Sequence, residues 1–188
     1  MEFTRKGFIK MKRHQPRHIY CDHQLYFITA HIYKNGFLLD GDLKKDKLLL
    51  KIFCFAWEYQ IDLLAWVVMI DHYHLLIKTR FGKNISNYTG KIHSGFTFEM
   101  NELEGKKGRR LWHNYWDWCI RDECDYWKQF NYIHNNPIKH GLVSIPQELR
   151  KYRYSSYWHY IRMKGEDWLL NVFESYPVLD FTVKNDEG

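Results

Sequence analysis

The stretch that decides the fold is DLLAWVVMIDHYHLLIKT, residues 62–79. Its first eight residues are an apolar run of strand length, and residues 72–79 form a second run of the same length. Asp71 lies in the short link between the two runs. Two strand-length runs joined by so short a link predict an antiparallel hairpin.

The regions on either side of this hairpin carry their own patterns. Alternating or continuous β-branched and aromatic residues predict strands, and apolar residues at helical spacing predict helices, here with Pro137 closing the last helix. The predicted elements are strands at 24–33 and 111–121 and helices at 44–60, 84–100 and 122–136. This βαββαβ order predicts an α+β protein of ferredoxin-like kind, in which an antiparallel sheet carries helices on one face and a C-terminal helical tail follows.

The length and net charge of the chain limit its possible domain organisation and binding partners. The 188 residues suit a basic N-terminal arm (1–17), a core (18–143) and a C-terminal extension (144–188) for recognition or packing. A formal net charge of +6 favours an acidic partner, nucleic acid first, and an aromatic content of 18% includes rings that could stack on unpaired bases. No leader and no long apolar run is seen, so we expect no membrane contact and a cytoplasmic protein.

The pair His72 and His74 is the first candidate for chemistry. One residue separates the two, so both imidazoles project from the same face of a strand. Neighbouring imidazoles suit a divalent metal when a further ligand arrives from elsewhere. The pattern alone is weak, because 11 histidines in 188 residues produce roughly 0.6 such pairs by chance. Two partly exposed strand histidines are an equally simple interpretation.

The predicted helix at 122–136 supplies possible partners for the histidines. Its core-facing stripe consists of Tyr126, Phe130 and Ile133. A different stripe, which should avoid the core, carries Lys128, Gln129, Tyr132 and Asn136. Asn136 could offer a carbonyl oxygen to a metal, and the phenol of Tyr132 could attack a phosphate that the metal neutralises. An ordinary solvated polar face explains the stripe equally well.

Two blocks of the sequence resemble the bacterial single-tyrosine HUH transposases. AWVVMIDHYHLLIKT (65–79) is similar to the central hairpin of that family, with its His-hydrophobe-His signature. LWHNYWDWCIRDECDYWKQFNYIHNNPIKHGLV (111–143) is similar to the family's tyrosine helix, which ends in Tyr-Ile-x-x-Asn-Pro-x-Lys-x-Gly-Leu. The resemblance spans residues 18–158 and is strongest to the REP-associated tyrosine transposases. Asp71 and Ile70 depart from it, standing where Asn or Glu and proline are common.

The resemblance implies an enzyme that nicks and rejoins single-stranded DNA ends carrying small hairpins. It implies Mg²⁺ or Mn²⁺ held by His72 and His74, with Asn136 completing the site, in a monomer or a homodimer. It also implies Tyr132 as the nucleophile, forming a 5′-phosphotyrosine and leaving a free 3′-hydroxyl. Tyr115 is a rival nucleophile, as is Tyr126 on the core stripe, but Tyr132 alone has both the helix position and the motif.

Basic residues are the candidates for DNA binding: Lys106, Lys107, Arg109, Arg110, Lys128 and Arg153. The first four lie in a segment at 102–110 without apolar periodicity, which predicts a flexible loop. Residues 150–164 interleave bases with aromatics, which is typical of a single-strand surface or of a packed amphipathic helix. Two other functions stay open: a non-catalytic binder of structured single-stranded DNA or RNA, and a metal-dependent nuclease that uses activated water.

Overall fold

In a computed structural model that describes residues 20–178, the chain folds into a four-stranded sheet with helices. The strands are β1 (Leu25–His31), β2 (Ile61–Val68), β3 (His72–Thr79) and β4 (Trp116–Cys119). The helices are α1 (Asp42–Glu58), α2 (Asn84–Leu103), α3 (Glu123–Lys139), α4 (Tyr157–Lys164) and α5 (Glu166–Ser175). The predicted basic arm at 1–17 lies outside the described residues. Within 20–178, no helix combines the length and the apolar character needed to cross a bilayer.

The sheet has the order β2-β3-β1-β4, and every neighbouring pair is antiparallel. The α+β class, the central hairpin and the C-terminal helices are therefore confirmed. The hairpin turn closes with a 2.8 Å hydrogen bond from the Met69 amide to the His72 carbonyl. Strand alternation then turns Tyr73, Leu75 and Ile77 toward one face, where they pack with α1 and α2.

The two helices of the βαββαβ unit, α1 and α2, share one face of the sheet as predicted, and the helix that follows the unit, α3, covers the opposite face. Phe27, Leu76 and Val67 lie on this second face and pack with Phe130 and Ile133 of α3. The physical reason is visible in the strands, whose apolar runs are nearly continuous instead of alternating. Such strands leave apolar side chains on both faces, and both faces need a covering layer.

A third layer, made of α4 and α5, covers the outer side of α3. The ring of Phe130 lies 4.7 Å from that of Tyr160 and 6.3 Å from that of Trp168, centroid to centroid. Because α3 is sandwiched between this layer and the sheet, two of its stripes are buried. On the stripe that was expected to avoid the core, Tyr132 and Asn136 instead face the sheet, whereas Lys128 is exposed. Residues 157–164 accordingly form a packed helix.

Local sequence sets the two ends of α3. The Asp122 side chain accepts a 2.8 Å hydrogen bond from the Asp125 amide and so caps the N-terminus. The helix runs through Pro137, contrary to the predicted end before it, and the His140 amide closes the last turn on the Asn136 carbonyl at 3.1 Å. Pro137 has no amide hydrogen to donate to the Ile133 carbonyl, so the helix continues past it without that one hydrogen bond. Asn136 therefore stays helical, one turn after Tyr132.

The predicted strand at 111–121 is shorter in the structure, where only Trp116–Cys119 form β4. The preceding residues attach to the end of β1 by separate backbone contacts. The Tyr33 amide donates to the Leu111 carbonyl at 2.7 Å, and the His113 amide donates to the His31 carbonyl at 2.9 Å. This segment therefore lies beside the end of β1 from which His31 projects.

Candidate active site

His72 and His74 project from β3 toward α3, and both are buried, at 1% and 0% exposure. This excludes the reading of the pair as partly exposed strand histidines. Their ring centroids are 4.8 Å apart. His72 Nδ1 lies 2.6 Å from Asp71 Oδ1, and His74 Nδ1 lies 2.7 Å from Thr29 Oγ1. Because each Nδ1 is engaged, Nε2 is the nitrogen that each ring would use for a metal.

Asp71 orients His72 as a carboxylate. Burial alone would raise the pKa of Asp71, but the hydrogen bond with His72 and the nearby charges of His72, His31 and His140 lower this pKa below its ordinary value. The rings of His31 and His140 lie 4.8 and 4.9 Å from that of His72. A carboxylate on Nδ1 fixes the tautomer and makes Nε2 a better ligand.

Asn136 reaches the histidine pair from α3. Its Oδ1 lies 3.1 Å from His72 Nε2, and the residue is fully buried. Two donors bound side by side at about 2.1 Å from an octahedral cation would be about 3 Å apart. The 3.1 Å separation is that of a hydrogen bond between the two side chains, and it is also compatible with two ligands on one ion. Across residues 20–178, no cluster of three or more His, Cys, Asp or Glu side chains is arranged to hold a metal, so a site here depends on the amide oxygen.

Tyr132 packs directly against this cluster. Its ring lies edge-on to that of His74 at 5.2 Å and to that of Phe27 at 5.8 Å. Its exposure is 3%, which contradicts the expected solvated position and follows from the two-sided burial of α3. The hydroxyl accepts a 3.0 Å hydrogen bond from the Nζ of Lys139, and the same Nζ lies 5.1 Å from the ring centroid.

Lys139 is the functional candidate that sequence reasoning missed. It stands inside the Asn-Pro-x-Lys motif but was assigned no role there. The signal was its spacing of seven residues from Tyr132, which places both on the same helical face. Lys128, named instead, is exposed one turn before the buried tyrosine.

The rival tyrosines lie in other clusters. Tyr126 packs on Trp127 at 4.8 Å between ring centroids, and burial raises its pKa. The hydroxyl of Tyr115 lies 2.7 Å from that of Tyr20 and 3.3 Å from Ser86 Oγ, on the side of the sheet that α2 covers. In the described part of the chain, Tyr132 is thus the tyrosine packed on the histidine pair.

The six basic residues predicted to bind DNA do not gather around Tyr132. Arg109 donates to Glu104 at 2.6 Å and Arg153 donates to Asp46 at 2.8 Å, both within the α1–α2 layer on the opposite face of the sheet. Arg110 packs over Tyr33 at 5.1 Å, close to the end of β1. Lys106, Lys107 and Lys128 are exposed. Their role in DNA binding stays a prediction.

Three comparisons with known proteins bear on the family of this chain. Residues 20–136, from the first described residue to Asn136, match the family described as "Transposase IS200 like". A Haemophilus influenzae protein described as "Putative REP-associated tyrosine transposase" is 27% identical over 125 residues, which span 59% of this chain and 68% of that protein. The solved structure of a REP-associated tyrosine transposase bound to a REP hairpin has a TM-score of 0.66 at 24% identity, covering 80% of this chain and 86% of that one, which shows a shared fold. The chain belongs to the IS200-like transposase family.

Proposed function

We propose that the protein is a metal-dependent endonuclease and strand transferase of single-stranded DNA, with Tyr132 as its nucleophile. The observation that carries the proposal is the meeting of two distant parts of the chain. The helix α3 brings the phenol of Tyr132 and the amide of Asn136, one turn apart, against His72 and His74 of the hairpin. Membership of a transposase family makes DNA the expected substrate.

The proposed ligands of the metal, Mg²⁺ or Mn²⁺, are His72, His74 and Asn136. The amide oxygen suits both ions, and the two imidazole nitrogens favour the transition metal Mn²⁺. When bound, such an ion would neutralise the target phosphate and stabilise the charge that develops on it. Asp71 and Thr29 hold the two imidazoles by their Nδ1 atoms, which keeps the ring orientation independent of substrate.

The proposed step is an in-line displacement at phosphorus. The phenol oxygen of Tyr132 gives up its proton and forms a bond to phosphorus, while the bond from phosphorus to the 3′-oxygen breaks. The 3′-oxygen takes up one proton and leaves as a hydroxyl. The products are a 5′-phosphotyrosine and a free 3′-end, and attack by a 3′-hydroxyl reverses the step without an external energy source. Lys139 stabilises the negative charge on the phenol oxygen as the proton leaves.

The burial of Tyr132 is the observation that weighs most against this role. At 3% exposure, the phenol meets a phosphodiester only after side chains around it move. Lys139 is half-buried and links the phenol to the surface, and His140 is exposed beside it. We propose that the ammonium of Lys139 attracts the incoming DNA phosphate while it keeps its contact with the phenol, so that the phosphate arrives beside the nucleophile.

The proposed substrate is a single strand that carries a hairpin. The support is the fold shared with a transposase whose structure contains a REP hairpin. The burial of Tyr132 favours a second candidate function, a non-catalytic binder of structured single-stranded nucleic acid.

One experiment separates these functions. Hairpin-bearing single strands, labelled at either end, are incubated with the protein and Mn²⁺ and resolved on a denaturing gel. We expect labelled protein from the 3′-labelled strand only, and none with Tyr132→Phe or chelator. Cleavage without adduct would indicate a nuclease that uses water, and a shift seen only on native gels would indicate a binder. Either result would overturn the proposal.

A further inference from the structure

The edge strand β4 presents two tryptophans to solvent. Trp116 is 40% exposed and Trp118 is 47% exposed, although tryptophan is among the largest apolar side chains. Two residues apart on a strand, they project from the same face, with Cα atoms about 7 Å apart. Asp117 between them points to the other face. An exposed aromatic pair on a rigid strand needs an explanation that core packing does not supply.

Strand register places this pair on the same face as the histidines. Thr29 of β1 is paired with Trp116 on one side and with His74 on the other, and Phe27 is paired with Trp118. Directly opposed residues in an antiparallel sheet share a face. Trp116 therefore stands two strands from His74 in one cross-strand row, about 10 Å away.

Neighbouring side chains hold the Trp118 ring in place, and one of them, Arg121, is positively charged. The Nε1 of Trp118 donates a 3.0 Å hydrogen bond to Asp125 at the start of α3. The guanidinium of Arg121 lies 4.9 Å from the Trp118 ring, and its Nε lies 3.7 Å from Asp125 Oδ2, while the Arg121 side chain remains 70% exposed. On this face α3 packs on β2 and β3, and Thr29 of β1 is 3% exposed, so β4 is the strand that presents large side chains to solvent.

We infer that Trp116 and Trp118 form a stacking platform for unpaired bases of the DNA strand next to the cleaved phosphate, with Arg121 beside a backbone phosphate. The inference rests on the proposed function, which places that phosphate at His72, His74 and Tyr132. Aromatic rings stack on any base, whereas an adjoining exposed cation suits the backbone. The spacing of the two rings lets each contact a different nucleotide.

The test measures binding in chelator, so that it does not depend on cleavage. The probe is a hairpin oligonucleotide with single-stranded extensions on both sides, together with copies that carry abasic sites stepped along each extension. We expect Trp116→Ala and Trp118→Ala each to weaken binding of the intact probe by about 5- to 100-fold. An abasic site at the matching nucleotide should remove most of that difference. Trp116→Phe and Trp118→Phe should retain more affinity than the alanine variants.

Trp57→Ala is the matched control, because Trp57 is 85% exposed on α1, across the sheet, and its loss should leave affinity unchanged. Equal weakening of intact and abasic probes, or no weakening by either alanine variant, would overturn the inference. Since Trp118 also donates a hydrogen bond to Asp125, Trp116→Ala keeps the test valid if Trp118→Ala fails to fold. A base-dependent loss together with no covalent adduct would support the platform while refuting the proposed chemistry. An adduct without the base-dependent loss would support the proposed chemistry and refute the platform.

Discussion

The ammonium of Lys139 lies 3.0 Å from the hydroxyl of Tyr132, two helical turns earlier on α3. A cation at this distance stabilises a phenol oxygen most when the oxygen carries negative charge, which is the state that attacks phosphorus. The pairing thus ties the reactivity of Tyr132 to one nearby side chain.

Replacing Lys139 with methionine should slow adduct formation by about 10- to 100-fold, because a hydrogen bond to a charged partner is lost. Lys139→Arg should recover part of the rate, since it keeps the charge. Single-turnover kinetics with labelled DNA provide the measurement. Lys128→Met is the control, because Lys128 is an exposed lysine of the same helix. An unchanged rate in Lys139→Met would remove this residue from the chemistry.

Asn136→Ala should lower Mn²⁺ affinity by about 10-fold or more, because one of three proposed ligands disappears. Asn136→Asp should retain the affinity, since a carboxylate oxygen replaces the amide oxygen. Calorimetric titration without DNA measures both. Asn135→Ala serves as the comparison, because the Asn135 amide donates within the helix to the Asn131 carbonyl at 2.9 Å. Equal Mn²⁺ affinity in Asn136→Ala and the unmodified protein would contradict the ligand assignment.

Acid should destabilise the protein through His134. Burial lowers the pKa of His134 to about 3, so it stays neutral in the folded state, while in the unfolded chain it takes up a proton near pH 6.5. Between these values the unfolded state binds more protons, so the free energy of unfolding falls as pH falls. The slope contributed is at most about 1.4 kcal/mol per pH unit.

Denaturant titrations from pH 7 to pH 5 measure this slope. His134→Gln should make it shallower, and the remaining slope should include His93, whose pKa burial also lowers to about 3. His159→Gln changes an exposed histidine and should leave the slope as it was. A slope unaffected by His134→Gln would show that His134 is not neutral in the folded protein.

Replacing Gly82 or Gly90 with alanine should change the free energy of unfolding in opposite directions. A Cβ on Gly82 would lie 2.7 Å from the backbone carbon of Tyr20, so Gly82→Ala should lower the free energy of unfolding by about 1–3 kcal/mol. A Cβ on Gly90 would meet nothing within 4 Å in the interior of α2, so Gly90→Ala should raise it by about 0.5–1 kcal/mol. Equilibrium denaturation of both variants measures the two changes. Equal effects would contradict the close approach at Gly82.

The sequence predicted the hairpin well because strand pattern is local. The runs at 62–69 and 72–79 correspond to Ile61–Val68 and His72–Thr79, and the alternation alone placed His72 and His74 on one face. Its limits appear at Tyr132. Helical periodicity identifies one buried stripe and predicts that the others are exposed. Because α3 packs both on the sheet and on α4–α5, a second stripe that contains Tyr132 is also buried.

The basic residues show a different limit. Arg109 was predicted to bind DNA as part of a basic loop, and Arg153 as part of a segment that interleaves bases with aromatics. Glu104 and Asp46 instead hold these two residues in the α1–α2 layer. The direction of a side chain depends on such ion pairs, and the pair of Arg153 with Asp46 joins residues that lie far apart in the sequence. Pro137 was also a misleading signal, because a proline removes one hydrogen bond of a helix without necessarily ending it, and α3 continues to Lys139.

Mass spectrometry of the protein–DNA adduct tests the central claim most directly. After incubation with hairpin-bearing single strands and Mn²⁺, the adduct is digested with nuclease and protease and its peptides are sequenced. The account predicts a nucleotide attached through its 5′-phosphate to Tyr132, and none in the His72→Ala protein. Attachment at Tyr115 or Tyr126, or an adduct that forms equally well without His72, would contradict it.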